Sequence, residues 1–197
     1  TTSGCESDVF TVSINVQPSP DIDNIEAQLC SGDTYSVSPL SNVPNQIVPN
    51  GTTYSWLTPT QINPTPILSG FSTASNQSSF IQTINNQGSS ANSLIYNITP
   101  NYLVSSSLNC IGDPFTVTIL VHPIPTVTAT SNSQSNLICP LSSTTLTAVG
   151  IPSNSPNGGT GTFQWTYPLS GSPTQGAVLT IQPPQTTTFG VIYTLPA

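Results

Sequence analysis

The chain has 197 residues, of which 4% are charged, and it contains no Lys or Arg. Seven Asp and Glu residues give a formal charge of −7, so no cationic surface is available to hold a polyanion. We therefore expect no nucleic-acid partner and no attraction to anionic lipid. The apolar runs are far shorter than the ~20 residues that span a bilayer, and no membrane insertion is expected.

The composition favours an all-β protein. Hydrophobic residues make up 35% of the chain, and many of them are β-branched or aromatic and alternate with Thr, Ser, Asn and Gln. The 20 prolines interrupt every window that would otherwise carry the apolar stripe of a helix. A disordered chain would have fewer aromatic residues and more charge.

Residues 1–20 contain a clear strand pattern. Phe10, Val12, Ile14 and Val16 occupy alternate positions and lie on one face of a strand, as the period of two requires. The Pro-Ser-Pro that follows cannot continue a central strand and is typical of a stiff linker.

This pattern returns later in the chain. Residues 110–125 match residues 5–20 in Cys, Asp, Phe, Thr, Val, Ile, Val and both linker prolines. Such self-similarity is the signature of tandem repeats.

Two tryptophans mark a second pair of equivalent positions. Trp56 follows Cys30 by 26 residues, and Trp165 follows Cys139 by the same interval. Each tryptophan has an aromatic residue two positions earlier, on the same strand face. The equal spacing favours core residues packed near the cysteines, although exposed tryptophans could instead form the stacking platform of a carbohydrate-binding module.

Short strands bounded by turn signals, with cysteines near the first and last strands, predict tandem Greek-key β-sandwiches of immunoglobulin type. Residues 21–125 form the complete sandwich, and a predicted disulfide between Cys30 and Cys110 closes a loop of about 80 residues, worth roughly 4 kcal/mol. Residues 126–197 form a second sandwich that lacks its last strand. Residues 1–20 are the last strand of a preceding sandwich.

Joining the end of the chain to its beginning reproduces the strand order of the complete sandwich. We therefore interpret the sequence, which has no Met, as one period of a longer rod-like array. In that array the 1–20 segment of the next repeat completes the second sandwich, and Cys139 pairs with Cys5 of that next repeat. The alternative is a pilus-like subunit that polymerises non-covalently by strand addition.

Catalytic chemistry is poorly supported. His122 is the single histidine, and we interpret it as an exposed linker residue. A Ser or Cys nucleophile needs a base, and the chain has no second histidine to supply one. The sequence therefore predicts a protein that is not an enzyme.

Acidic residues cluster near the start of the complete sandwich. Asp21, Asp23 and Glu26 could present several oxygen atoms to Ca²⁺, which takes six to eight such ligands. A calcium ion at the junction of two sandwiches is one hypothesis, and a solvated acidic patch without any cofactor is the other.

Several motifs resemble the PKD-like (immunoglobulin-like) repeats of very large cell-surface adhesins in Bacteroidota, especially those of gliding bacteria. In the first unit they are Leu29-Cys30-Ser-Gly-Asp33-Thr, Tyr54-Ser-Trp56, Ile95-Tyr-Asn-Ile-Thr-Pro100 and Cys110-Ile-Gly-Asp-Pro-Phe-Thr-Val-Thr-Ile. In the second they are Ile138-Cys139-Pro, Ser143-Thr-Thr-Leu-Thr-Ala148, Phe163-Gln-Trp165 and Thr186-Thr-Thr-Phe189.

The resemblance implies an extracellular location, export through the type IX route and display on the cell surface as a long filament. A stalk of this kind supports surface attachment or gliding. Its implied partners are neighbouring repeats and, at the adhesive surface, polysaccharide or other cells.

Overall fold

The computed structural model describes residues 4–5, 7–41, 44, 46–152, 160–166 and 174–195. Apart from one turn of 3-10 helix at Gln134–Asn136, all regular elements in these ranges are β-strands. The all-β prediction is therefore confirmed.

The strands up to residue 125 belong to the first sandwich. They are β1 (Ile25–Cys30), β2 (Thr34–Val37), β3 (Thr52–Trp56), β4 (Thr60–Gln61), β5 (Leu68–Ser69), β6 (Ala74–Gln77), β7 (Phe80–Thr83), β8 (Asn85–Asn86), β9 (Asn92–Ser105), β10 (Leu108–Ile111) and β11 (Phe115–His122). The described strands after residue 125 belong to the second sandwich. They are β12 (Thr126–Ser131), β13 (Thr144–Ile151), β14 (Thr162–Thr166), β15 (Thr174–Gln175), β16 (Val178–Ile181) and β17 (Gly190–Thr194).

The main sheet of the first sandwich has the order β1-β11-β9-β3-β6, and the short strands β4 and β10 also pair with β9. Strand β11 is central to it, because it pairs antiparallel with β9 and parallel with β1. Two small sheets, β2-β7 and β5-β8, complete the sandwich.

Strand β11 supplies much of the core of the first sandwich. Its inward side chains are all at most 3% exposed: Phe115, Val117, Ile119 and Val121. Phe80 on β7 packs from the small sheet against Trp56 and Tyr96 of the main sheet, at ring-centroid distances of 5.0 and 4.8 Å. These edge-on contacts join the two layers.

A polar contact also lies inside this core. The Tyr96 hydroxyl donates a hydrogen bond of 3.2 Å to Oε1 of Gln82, whose side chain is itself buried. Burial raises the pKa of Tyr96 because the charged phenolate would lose its hydration. The hydroxyl therefore remains a neutral donor.

The second sandwich is built around Tyr193 of β17. Its hydroxyl donates to the carbonyl of Pro152 at 2.7 Å, and its ring lies 4.7 Å from that of Phe163. Glycines make room for the ring, since a Cβ on Gly150 would approach it to 2.4 Å and one on Gly161 would lie 2.1 Å from the hydroxyl oxygen.

We predict that Ile119→Ala lowers the free energy of unfolding of the first sandwich by roughly 2–5 kcal/mol, since it leaves a cavity in the core. Ile124→Ala removes the same atoms from an exposed linker residue and should change stability by less than about 0.5 kcal/mol. Urea unfolding of the two variants measures the difference. Equal losses would contradict the position of β11 in the core.

Candidate functional site

The two sandwiches share most of their strand pairings. In the first, β3 pairs with β6 and β9, and β2 pairs with β7. In the second, β14 pairs with β15 and β17, and β13 pairs with β16. The pairs are antiparallel in both, so β17 is the counterpart of β9.

The second sandwich differs in one strand. Strand β9 is flanked by β3 and β11, whereas β17 has β14 on one side and no described strand on the other. The segment that contains Cys139, which by sequence corresponds to β1, is irregular apart from its 3-10 turn and leaves Leu137 exposed. What the described chain lacks here is a counterpart of β11.

A groove of about 800 Å³ opens at this place in the second sandwich. We call it the open groove and define it by Leu137, Cys139, Leu146, Trp165, Ile181 and Thr187, which are among its lining residues. It therefore lies between the irregular segment and the chain that leads into β17.

Residues 9–16 are the unpartnered counterpart of β11. They form no strand, and Phe10 and Ile14 are 88% and 84% exposed. The equivalent residues of β11, Phe115 and Ile119, are 3% and 0% exposed. The same apolar pattern is thus buried in one copy and lies in solvent in the other.

The structure does not bring Cys30 and Cys110 together, as the predicted disulfide within the first sandwich requires. Cys30 pairs with His122, and the residue before it in β11, Val121, pairs with Asn92 at the start of β9. Cys110 pairs with Tyr102 near the end of β9. About ten strand positions, or roughly 30 Å, separate them, and a disulfide needs Cα atoms within about 7 Å. Because β1 runs parallel to β11, the end of β1 and the hairpin before β11 lie at opposite ends of the sheet.

Cys5 and Cys139 are both exposed. Cys139 lies in the segment between β12 and β13, where its carbonyl accepts a hydrogen bond from the backbone of Ser142. Their predicted bond joins two copies of the sequence, so it stays a prediction at this point.

The structure does not assemble the predicted calcium site. Asp21, Asp23 and Glu26 are each exposed, and Asp21 is engaged through its backbone in a bridge to Ile47. No group of three His, Cys, Asp or Glu residues in the described ranges could hold a metal ion. Only Glu26 belongs to β1, whereas Asp21 and Asp23 precede this strand, and the three carboxylates do not converge on one point.

Both tryptophans belong to the cores. Trp56 is 4% exposed and Trp165 is 1% exposed. Their indole nitrogens donate to the carbonyls of Ser72 and Gly176, each at 2.9 Å. Rings buried in this way cannot stack on a sugar, which argues against the carbohydrate-binding alternative at these positions.

The sequence predicts that His122 is an exposed linker residue, but the structure shows it as the half-buried last residue of β11. Its Nε2 lies 3.1 Å from Oε1 of Gln28, and its buried Nδ1 has no hydrogen-bond partner among the residues that the structure describes. Burial lowers the pKa of His122, because it disfavours the charged imidazolium. It therefore links β1 and β11 as a neutral side chain.

We predict that acid weakens the first sandwich through His122. Since its folded pKa lies below the unfolded value near 6.5, stability is full above that value and falls as the pH drops below it. Urea unfolding at about pH 7.5 and about pH 5.5 should show a larger loss for the wild type than for His122→Gln. The carboxylates are common to both proteins, and identical losses would contradict the prediction.

No helix in the described ranges is long and apolar enough to span a membrane.

The model of the PKD-like domain family matches residues 27–125, half of the chain. No curated protein and no solved structure shows significant similarity to the chain. PKD-like domains are typically extracellular, non-catalytic modules with structural or adhesive roles. The match begins within β1 and ends at the Pro-Ile-Pro linker, so it covers the sheet that contains β11. The chain therefore belongs to the PKD-like domain family.

Proposed function

We propose that the chain is a structural and adhesive repeat of an extracellular surface filament, in which sandwiches follow one another as a stalk. One observation carries the proposal. The second sandwich has an open groove where the first holds β11, and the chain carries a second β11-like segment that is exposed. We infer that this groove accepts residues 8–17 of a second copy of the chain.

The equivalence of the two sheets sets the register of the donated strand. Trp56 on β3 is opposite Ile98 on β9, and Trp165 on β14 is opposite Val191 on β17. The two tryptophans are equivalent by sequence, so Val191 takes the position of Ile98.

Phe115 begins β11 opposite Ile98. Its counterpart in the donated strand is Phe10, which should therefore lie opposite Val191. The strand then runs antiparallel to β17, and Ile14 enters the groove as Ile119 enters the first core.

The donated strand also explains how copies connect in series. It ends near Val16 and continues through the Pro18-Ser-Pro20 linker into the first sandwich of its own copy. A Pro-x-Pro linker is stiff and extended, so each copy adds two sandwiches to a line. Mechanical reach from the cell surface follows from this arrangement.

The stabilisation gained by burying the donated strand and the cost of association are of similar size. Burying four large apolar side chains of the strand stabilises the complex by roughly 6–12 kcal/mol, at about 1.5–3 kcal/mol each. Association itself costs about 4–15 kcal/mol. Strand addition by side-chain burial alone is thus concentration-dependent, and a durable filament needs a further link between copies.

Family membership and the motif resemblance support a more specific setting: the cell surface of a Bacteroidota species, reached by type IX secretion. There the filament would attach the cell to polysaccharide or other cells, or serve gliding. The role is mechanical and not catalytic, in keeping with the single, structurally engaged histidine.

We predict that the purified chain associates as its concentration rises under reducing conditions, measured by sedimentation velocity. Ile14→Ser removes an inward apolar side chain and should weaken association at least about tenfold. Val9→Ser is the matched control, because Val9 is also exposed but points to the opposite face of the strand.

A peptide of residues 4–20 should cap the groove, block association and raise the thermal stability of the second sandwich. The same peptide with Ile14→Ser should do neither. A wild-type chain that stays monomeric at all concentrations, or equal effects of the two substitutions, would overturn the proposal.

A further inference from the structure

We infer that the four cysteines form disulfides between consecutive sandwiches, across each junction, and not within a sandwich. The pairs are Cys30 with Cys5 of the next copy, and Cys139 with Cys110 of the next copy. This inference rests on the proposed strand donation, and it follows from where the sheet places the thiols.

Each sandwich has two poles along its strands. At the upstream pole of the first sandwich the chain arrives from the Pro-Ser-Pro linker, and at its downstream pole the chain leaves through residues 123–125. Because β1 and β11 are parallel, both run from the upstream pole to the downstream pole.

Cys110 lies at the upstream pole. Two residues later, Gly112 packs so closely on the incoming linker that a Cβ there would lie 2.1 Å from the carbonyl oxygen of Pro20. Pro20 is fully buried at this contact. Cys110 therefore sits next to the point where the preceding sandwich is attached.

Cys30 lies at the downstream pole. It is the last residue of β1, in register with His122 at the end of β11, and the backbone of Ser31 donates to the His122 carbonyl at 2.8 Å. Its side chain is exposed. It is placed where the chain departs for the next sandwich.

The second sandwich repeats this polarity. Strand β12 begins opposite Ile151 and ends opposite Leu146, so the segment that holds Cys139 lies at the pole away from the incoming linker. Strand β17 ends at Thr194, opposite the first residue of β14, at the upstream pole. A strand donated antiparallel to β17 begins at that pole and brings Cys5 there.

Each junction thus has one thiol on either side of a short linker. Cys139 of one copy lies beside the end of the strand that the next copy donates. Three residues beyond that end, Pro20 of the donating copy contacts Gly112 of the same copy, near Cys110. Three extended residues span about 10 Å. Cys110 lies two positions nearer to the upstream pole than Gly112, which takes back about 6 Å of that span. Within one completed sandwich the two thiols are instead roughly 30 Å apart, beyond the ~7 Å limit for bonded Cα atoms.

The exposure of the thiols fits this assignment. Cys5, Cys30 and Cys139 are exposed and Cys110 is partly buried, whereas a bond between the two sheets of a sandwich would be enclosed in its core. Extracellular domains reside where disulfides persist.

Each bond forms by thiol–disulfide exchange with a small-molecule disulfide such as oxidised glutathione. One thiolate attacks it and releases one thiol, and the partner thiolate then attacks the mixed disulfide and releases the second. The two cysteines lose two electrons and two protons in total, and the oxidant is reduced to two thiols.

Two double variants separate this pairing from pairing within sandwiches. Cys30→Ser/Cys5→Ser keeps Cys139 and Cys110, and it should still form a ladder of covalent oligomers on non-reducing gels. Cys30→Ser/Cys110→Ser keeps Cys139 and Cys5, and it should form none. Pairing within sandwiches predicts the reverse for both variants.

The full chain is first assembled in reducing buffer, then oxidised with glutathione disulfide and digested with pepsin at acid pH, since it has no tryptic sites. Peptide mapping of the wild type should recover Cys30–Cys5 and Cys139–Cys110 links. Ladders in both variants, in neither, or in the reversed pattern would overturn the pairing. If no assembly occurs in reducing buffer, strand donation itself fails, whereas assembly followed by the wrong links refutes only the disulfides.

Discussion

The structure depends on the apolar strand β11 and the slot that it fills between β1 and β9. Its four inward side chains are nearly inaccessible, and they contribute on the order of 6–12 kcal/mol by burial. Without a strand in this slot, β1 would have no partner in the main sheet and β9 would have an open edge along much of its length. Within the described ranges, the second sandwich shows that state, with an irregular segment where β1 would be and an edge strand at β17.

Much of the fold could be predicted because the alternation of apolar and polar residues indicates which face of a strand is buried. The pattern from Phe115 to Val121 became β11, and the aromatic pairs ending at Trp56 and Trp165 became β3 and β14 with buried indoles. The same pattern at residues 9–16 predicts a strand as well, but this segment forms none in the structure, because no described strand pairs with it. These features depend on local periodicity, which the sequence carries directly.

Pairing between distant strands was not predictable in the same way. Nothing local shows that β1 runs parallel to β11, yet this arrangement places Cys30 and Cys110 at opposite poles. Likewise, the closely spaced acids near β1 do not converge, since an extended chain carries its side chains apart. His122 looked like a linker residue because prolines follow it, but the contact with Gln28 comes from that same parallel pairing.

Parallel terminal strands also determine how a sandwich bears tension. Force applied along the proposed filament would enter at the start of β1 and leave at the end of β11, which lie at opposite poles. It would shear the register from Ile25 to Cys30 as a whole, so that the hydrogen bonds between β1 and β11 would fail together instead of one at a time. The donated strand would be loaded in the same direction against the second sandwich. Disulfides across a junction between sandwiches would carry the load in parallel with the linker. The donated strand could then leave the groove reversibly only after these disulfides are reduced.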